Sequence, residues 1–177
     1  IVWIDAAETY FLLAEAKLRL NLGDKTVQEY YEEGVKMSFS SKGAMQAEAY
    51  LADDTSVPAT SFVDAATGRN TDVGSMVSKL TVKWDDNATE STKLERIMVQ
   101  KWIALYPDGQ EAWSEMRRTG YPGIVSINTN ASGGEVPTGE LISRLKFPTT
   151  EYSDNSENTQ AAVSLLNGSD VAGTRLW

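Results

Sequence analysis

The 177-residue sequence contains no cysteine and no histidine. Without cysteine there are no disulfide bonds and no thiol nucleophiles, and without either residue there is no zinc site of the Cys/His type. The lack of histidine also excludes a Ser-His-Asp triad and ordinary imidazole acid–base catalysis. Long apolar runs are missing as well, since the longest fall far short of the ~20 residues that a membrane-spanning helix needs. Several common classes of active site are therefore excluded from the outset.

Positive charge is scarce, with 16 Lys and Arg against 25 Asp and Glu and a net charge of −9. This balance argues against non-specific binding to nucleic acid or to anionic membranes, which requires basic patches. The remaining composition is ordinary for a globular protein. A chain of this length can form one substantial core that buries roughly 70% of its unfolded surface.

Residues 93–105 predict a helix inside that core. Apolar side chains recur at spacings of three and four, and their neighbours extend the apolar surface over most of the helix circumference. The stripe consists of Leu94, Ile97, Met98, Trp102 and Leu105. We therefore expect Trp102 to be buried, and its truncation to cost roughly 3–5 kcal/mol through the cavity left behind.

A second helix is predicted directly after the first, with both of its ends specified by local signals. Those signals are Pro107, Asp108, Gly109 and Glu111 before the helix, and Gly120 and Pro122 after it. Trp113 is expected to face the core like Trp102. Arg117 and Arg118 occupy the last turn, where cations complement the helix dipole. The two helices form a hairpin over 93–123.

Lys101 lies on the mostly apolar side of the first of these helices. A buried ammonium group needs a carboxylate or several carbonyl groups around it, so we predict an internal ion pair. Glu8, Glu15 and Arg117 are candidate members of the same buried polar network. A catalytic lysine would need a cleft and a second reactive group, and the sequence identifies neither.

The motifs of this hairpin resemble the C-terminal signature of the SusD/RagB family, the glycan-binding lipoproteins on the surface of Gram-negative glycan-foraging bacteria. The matching segments are 100–106 (QKWIALY), Gly109, 111–113 (EAW) and 117–122 (RRTGYP). Segments 10–16, 31–39, 144–152, 155–163 and 174–177 fit the family pattern as well. The resemblance implies a mostly α-helical fold of tetratricopeptide-like hairpins, with long irregular loops and at most a few short strands.

The resemblance also implies a function, which is non-catalytic and requires no cofactor. The protein would capture oligosaccharide at the outward-facing surface of the outer membrane and pass it to a TonB-dependent β-barrel transporter. Attachment to the membrane would use an N-terminal lipid anchor that lies outside this sequence. The chain ends after one tryptophan, Trp177, where the family usually has a second tryptophan and an acidic residue. We therefore expect a fragment, the C-terminal third or so of a longer protein.

The whole sequence, 1–177, is expected to be a single C-terminal fragment of a SusD-like domain, and it consists of four segments. They are a helical hairpin at 1–43, a loop-rich insert at 44–92, the central hairpin at 93–123, and loops with a C-terminal helix at 124–177. Capping-box pairs open both helices of the first hairpin, which are predicted over about 6–22 and 27–40. The pairs are Asp5 with Glu8 and Thr26 with Glu29, and Gly23 is the expected stop between the helices.

The insert and the C-terminal part are less regular. Residues 44–51 fit a short helix, and 52–70 a long surface loop of the kind that often carries binding residues. For 73–84 we expect a helix that starts near Gly74, although the alternation of Leu80, Val82 and Trp84 also fits a short strand. A last helix should bury Ala161, Ala162, Leu165 and Leu166.

Sugar recognition uses flat apolar side chains, because pyranose C–H faces stack on tryptophan and tyrosine. Trp84 and Tyr121 lie at the ends of predicted elements beside polar residues, and Tyr50 lies at the mouth of the long loop. These three are the candidate ligand-contacting residues, and each also fits a purely structural role.

The sequence leaves three alternatives open. The acidic loops at 53–54 and 85–90 could offer oxygen ligands to calcium, but they lack the spacing and the turn glycine of an EF-hand, so we expect no metal site. A glycoside hydrolase would need two carboxylates roughly 5–9 Å apart, and no motif singles out a pair. A helical protein-interaction module, or a family member that binds peptides or glycoproteins, is the third.

Overall fold

The computed structural model describes residues 4–72, 77–123, 130–137 and 140–175, without the side chains of 62, 71 and 72. The described chain is mostly helical, which confirms the predicted fold class. Its helices are α1 (Ala6–Leu20), α2 (Val27–Ser41), α3 (Ala47–Leu51), α4 (Glu90–Ala104), α5 (Gly109–Thr119), α6 (Thr149–Asp154) and α7 (Ser156–Ser164). The chain divides into two compact units, residues 1–124 and 125–177. No helix within the described ranges is both long and apolar enough to cross a membrane.

The first hairpin has the predicted caps. The Asp5 carboxylate accepts a hydrogen bond from the backbone N–H of Ala7 at 2.9 Å. Thr26 and Glu29 form a complete capping box, each side chain accepting a bond from the backbone N–H of the other. However, α1 ends at Asn21, with φ of 54°, two residues before the expected Gly23. Asparagine tolerates the left-handed conformation that such a helix end requires.

The centre of the first unit is the contact between α1 and α2. Phe11 and Tyr31 are fully buried there, with their ring centroids 6.4 Å apart. The Tyr31 hydroxyl donates a hydrogen bond to the carbonyl of Val82 at 2.6 Å. Burial raises the pKa of Tyr31, so the phenol stays protonated and can keep this bond. Gly34 brings the helices together, since a Cβ there would lie 2.8 Å from the Phe11 ring.

The central hairpin is present as α4 and α5. Thr89 caps α4 by accepting a bond from the N–H of Thr92 at 3.2 Å, so the helix starts before the predicted 93. Asp108 accepts a bond from the N–H of Glu111 at 3.2 Å, which is one half of the expected capping box. Gly120, with φ of 78°, ends α5 in the left-handed conformation as predicted.

The prediction that Trp102 and Trp113 are core residues is wrong, because each is 39% exposed. The buried arc of α4 is centred near the fully buried Ile97. Trp102 follows five residues later and is therefore turned about 140° away from that centre. Trp113 instead packs its ring under the guanidinium group of Arg117, at 4.5 Å from the ring centroid.

The loop-rich insert differs from the prediction in two places. Residues 61–63 and 70–72 form β1 (Ser61–Val63) and β2 (Asn70–Asp72), an antiparallel pair in which Ser61 is opposite Asp72. No helix is present at 77–84, whereas 73–76 lie outside the described residues. In 82–84 the side chains alternate, with Val82 and Trp84 buried and Lys83 exposed, as the strand-like alternative implied.

The second unit is organised around Asp170. Its carboxylate pairs with Arg144, and it accepts hydrogen bonds from the Phe147 N–H at 3.2 Å and the Tyr152 hydroxyl at 2.6 Å. The predicted last helix is present as α7, whose N-cap is Asn155, and a short helix that the sequence did not predict, α6, comes directly before it. Leu165, expected to be buried, is 85% exposed beyond the end of α7.

Candidate functional site

Lys101 forms the predicted internal ion pair in the first unit. Its side chain is 1% exposed, and its ammonium nitrogen lies 3.4 Å from a carboxylate oxygen of Glu115 and 3.6 Å from one of Glu8. Glu111 lies at 3.9 Å and completes a three-sided cage of carboxylates. Lys101, which lies on α4, therefore links α1 and α5 through its ion pairs with Glu8 and Glu115.

A second ion-pair group adjoins this cage. Arg118 donates to both carboxylate oxygens of Glu15, at 2.8 and 2.6 Å, and also bonds Glu115 at 2.7 Å. Glu15 thus belongs to the network, as predicted, but its bidentate partner is Arg118. The sequence offered a local signal for the Glu115–Arg118 pair, the i, i+3 spacing on one helix, but none for the pairing of Arg118 with the distant Glu15. Arg117, the predicted member, stacks on Trp113.

The pKa values of the charged side chains in these two ion-pair groups shift in different directions. Burial raises the pKa of Glu8 above its ordinary value of 4.5, against the opposing charge of Lys101. Burial also acts to raise the pKa of Glu115, but hydrogen bonds from Arg118 and the charge of Lys101 outweigh it, and the net shift is downward. Hydrogen bonding to Glu15 raises the pKa of Arg118. At neutral pH the group stabilises a fixed arrangement of α1, α4 and α5.

The structure places Trp84 in the core, which contradicts its prediction as a ligand contact. The residue is 8% exposed, and its ring lies 5.1 Å from that of Tyr31. Its indole N–H donates to Asp86 at 2.7 Å. The ring and the polar group of this side chain both have structural partners, so it offers no surface for stacking.

Tyr50 and Tyr121 are both partly buried, at opposite ends of α4. The Tyr50 hydroxyl donates to Gln100 at 3.1 Å, whereas that of Tyr121 bonds Ser91 at 2.8 Å. Nine residues of helix separate these two partners, a distance of about 14 Å. The two tyrosines therefore do not form one stacking platform.

Tyr121 does line a groove, with a volume of about 390 Å³. The other lining residues are Val77, Ser78, Lys79, Leu80, Glu95, Gly120 and Gly123. This groove combines an aromatic wall with one basic and one acidic side chain, and it retains Tyr121 as a candidate contact residue.

A larger cleft of about 550 Å³ lies between the start of α1, the end of α2 and the α4–α5 turn. It is lined by Ile4, Asp5, Glu8, Ser41, Lys42, Ala104, Leu105, Tyr106, Pro107 and Asp108. Tyr106 is 76% exposed at its edge. Tyr106 is not among the residues that the sequence singled out as candidate contacts. Its place between the end of a helix and Pro107 was the one signal that could have indicated it.

Carboxylates in both acidic loops accept hydrogen bonds from backbone groups of the same loops. Asp53 accepts bonds from the backbone N–H groups of Thr55 and Ser56, and Asp85 accepts one from that of Asn87. Among the described residues, no group of three or more His, Cys, Asp or Glu could hold a metal ion.

The sequence matches, over residues 1–177, the SusD-like family described as Susd and RagB outer membrane lipoprotein. A chitin-binding SusD homolog from Flavobacterium johnsoniae is 44% identical, with a TM-score of 0.82, and the match covers 100% of this chain and 36% of that one. A SusD homolog from Bacteroides uniformis is 41% identical over the same shares of the two chains, with a TM-score of 0.85. Comparison with curated proteins gave no match.

The chain therefore belongs to the SusD-like family, as its motifs predicted. It spans about a third of the length of these solved relatives. A SusD-like protein from Bacteroides thetaiotaomicron gives the same picture, with 42% identity, a TM-score of 0.77, and coverage of 97% of this chain and 36% of that one.

Proposed function

We propose that this chain is part of a non-catalytic, lipid-anchored protein on the outward face of the outer membrane. It binds oligosaccharide there and delivers it to a TonB-dependent transporter. The observation that carries the proposal is the 44% identity, over the whole chain, with a homolog described as chitin-binding. The family description as an outer membrane lipoprotein supports the location.

The arrangement of the first unit suits a binding scaffold. The Lys101 cage and the Arg118 pairs fix α1, α4 and α5 relative to one another, so loop residues mounted on them are held in place. In the Tyr121 groove, the tyrosine ring would contact the C–H face of a sugar, while Lys79 and Glu95 would bond its hydroxyls.

One observation favours a second candidate, a glycoside hydrolase. Glu8 has a raised pKa and lines the larger cleft with Asp5 and Asp108, and a raised pKa is typical of the general acid of such enzymes. The ammonium group of Lys101, 3.6 Å away, opposes that shift and argues for a structural role.

The test is titration calorimetry of the full-length protein with N-acetylglucosamine oligomers and, separately, with malto-oligosaccharides. We expect one series to bind, and Tyr121→Ala to weaken that binding roughly tenfold. Tyr121→Phe keeps the ring and loses only the bond to Ser91, so it should bind almost as tightly. Equal binding by wild type and Tyr121→Ala would remove the groove from the proposal.

The same mixtures should be assayed for new reducing ends. Reproducible release of sugar would show that the function is hydrolysis and not non-catalytic binding. Tight binding of peptides in place of both glycan series would favour a peptide-binding member of the family. Co-purification of the full-length protein with the neighbouring β-barrel transporter tests the delivery step.

A further inference from the structure

We infer that the larger cleft, at the start of α1 and the α4–α5 turn, is a second contact site for one sugar unit. Tyr106 supplies its stacking face, and Asp5, Glu8 and Asp108 supply its hydroxyl acceptors. The inference rests on the proposed glycan-binding function and adds a site that the Tyr121 groove does not include.

The dimensions of the cleft fit a small ligand. Its volume of about 550 Å³ lies within the range of roughly 300–1,000 Å³ that is usual for small-molecule pockets. Three chain segments that are distant in sequence form its walls, and each is anchored by a helix end. A site built in this way keeps its shape without a ligand.

Two apolar side chains of the lining are largely exposed, whereas Ala104 and Leu105 are buried. Tyr106 is 76% exposed and Ile4 is 73% exposed, and both line the cleft. The turn that carries the tyrosine is held by Lys42, whose ammonium group donates to the Tyr106 carbonyl at 2.7 Å. An exposed aromatic ring on a fixed turn offers a flat apolar face to a ligand that has an apolar face of its own.

The polar part of the lining selects for hydroxyl donors. Asp5 and Asp108 each use a carboxylate oxygen for a helix cap. An ionised carboxylate has about four acceptor positions, so capacity for further bonds remains on both. Three carboxylates against the single ammonium group of Lys42 make the lining net acidic, which disfavours anions.

Glu8 joins the cleft to the buried charge network. It lines the cleft, while its side chain is only 12% exposed and one of its oxygens lies 3.6 Å from the Lys101 nitrogen. The ion pair with Lys101 therefore holds the Glu8 carboxylate in place before any ligand binds. A sugar hydroxyl that donates to it makes a charge-assisted bond without first ordering the acceptor.

The test uses the same calorimetry, with the glycan that the wild-type chain binds. Tyr106→Ala should weaken binding or remove one site from the measured stoichiometry, with an effect of roughly tenfold in affinity. Tyr106→Phe, which keeps the ring, should behave as wild type. Met45→Ala changes a side chain that is 84% exposed and does not line the cleft, and it is the control for loss of exposed apolar surface.

A second variant tests the acceptors without removing the helix caps. Asparagine caps helices as well as aspartate does, so Asp5→Asn with Asp108→Asn keeps the fold and removes two charges. We expect weaker sugar binding here too. Strong competition by a simple alkylamine would show that the cleft selects for positive charge and would overturn the inference.

The outcomes separate the two proposals. If Tyr121→Ala weakens binding and Tyr106→Ala does not, this inference is wrong and the glycan-binding function stands. If both variants weaken binding, both sites stand. If the wild-type full-length protein binds neither glycan series, the proposed function and the inference fail together.

Discussion

At the scale of single residues, Lys101 is expected to have a large influence on stability. An ammonium group that is 1% exposed can stay charged only because carboxylates surround it. Its closest partners, Glu8 and Glu115, are themselves only 12% exposed. Removing the lysine alone would take away the ion-pair partner of Glu8 and leave Glu115 with Arg118 alone, both carboxylates being in a poorly solvated place.

We expect Lys101→Met, which keeps the volume and removes the charge, to lower the free energy of unfolding by about 3–5 kcal/mol. Urea denaturation followed by circular dichroism measures this quantity. Lys83→Met is the control, because the Lys83–Asp54 pair is more than half exposed on both sides and should contribute less than about 1 kcal/mol. Equal losses in the two variants would contradict the carboxylate cage around Lys101.

At the scale of elements, the contact between α1 and α2 depends on the absence of one side chain. Gly34 lies in the middle of α2, where glycine weakens a helix. A larger residue at this position would clash with the Phe11 ring.

Gly34→Ala is expected to destabilise the chain by about 1–3 kcal/mol, since a fully buried ring must move to admit the methyl group. Gly109→Ala is the matched control, because a Cβ at the first position of α5 has no neighbour within 4 Å. That substitution should be neutral or slightly stabilising. A thermal melt of both variants measures the difference, and a stabilised Gly34→Ala would refute the packing argument.

Sequence analysis predicted the elements whose determinants are local. The capping box of Thr26 and Glu29, and the stop at Gly120, depend on residues within one turn, and both are present. The helix expected from Gly74 is absent over 77–84, because burial of Val82 and Trp84 against α2 decides that segment. Such a contact spans some fifty residues, so the local alternation of Leu80, Val82 and Trp84 could not by itself decide between helix and strand.

The candidate site could likewise be predicted only in part from the sequence. Burial of Lys101 could be predicted, because a lone cation on the apolar side of a helix must lie near the core and needs a counter-charge there. The roles of the aromatic residues could not, since a tryptophan suits a core and a binding surface equally well. In the structure, Trp84 lies in the core, whereas Trp102 and Tyr106 are exposed.

At the scale of the whole molecule, the carboxyl groups whose pKa is displaced mostly have a lowered one. Such groups lie in both units, and Glu8 is an exception. A carboxyl group whose folded pKa lies below its unfolded value stabilises the fold above the unfolded pKa. It loses that contribution as the pH falls through the folded pKa. Glu8, with a raised pKa, acts in the opposite direction.

We therefore expect the free energy of unfolding to decrease as the pH falls below about 4.5, the ordinary value for glutamate. Glu115→Gln should be less stable at pH 7 and lose less on acidification, because the missing carboxylate accounts for part of the slope. Urea midpoints between pH 3 and 7 measure both curves. Parallel curves for the two proteins would show that Glu115 carries no such contribution.

The cage around Lys101 also constrains how this sequence can diverge. Replacing the lysine by an apolar residue removes the ion-pair partner of Glu8 and one of the two partners of Glu115, and replacing either carboxylate alone leaves the remaining charges unbalanced. Each single step passes through an unstable intermediate, whereas a joint change to apolar residues can be neutral. Positions 8, 101 and 115 should accordingly vary together or stay fixed across related proteins, and a homologue with only one of them altered should carry a compensating charge nearby.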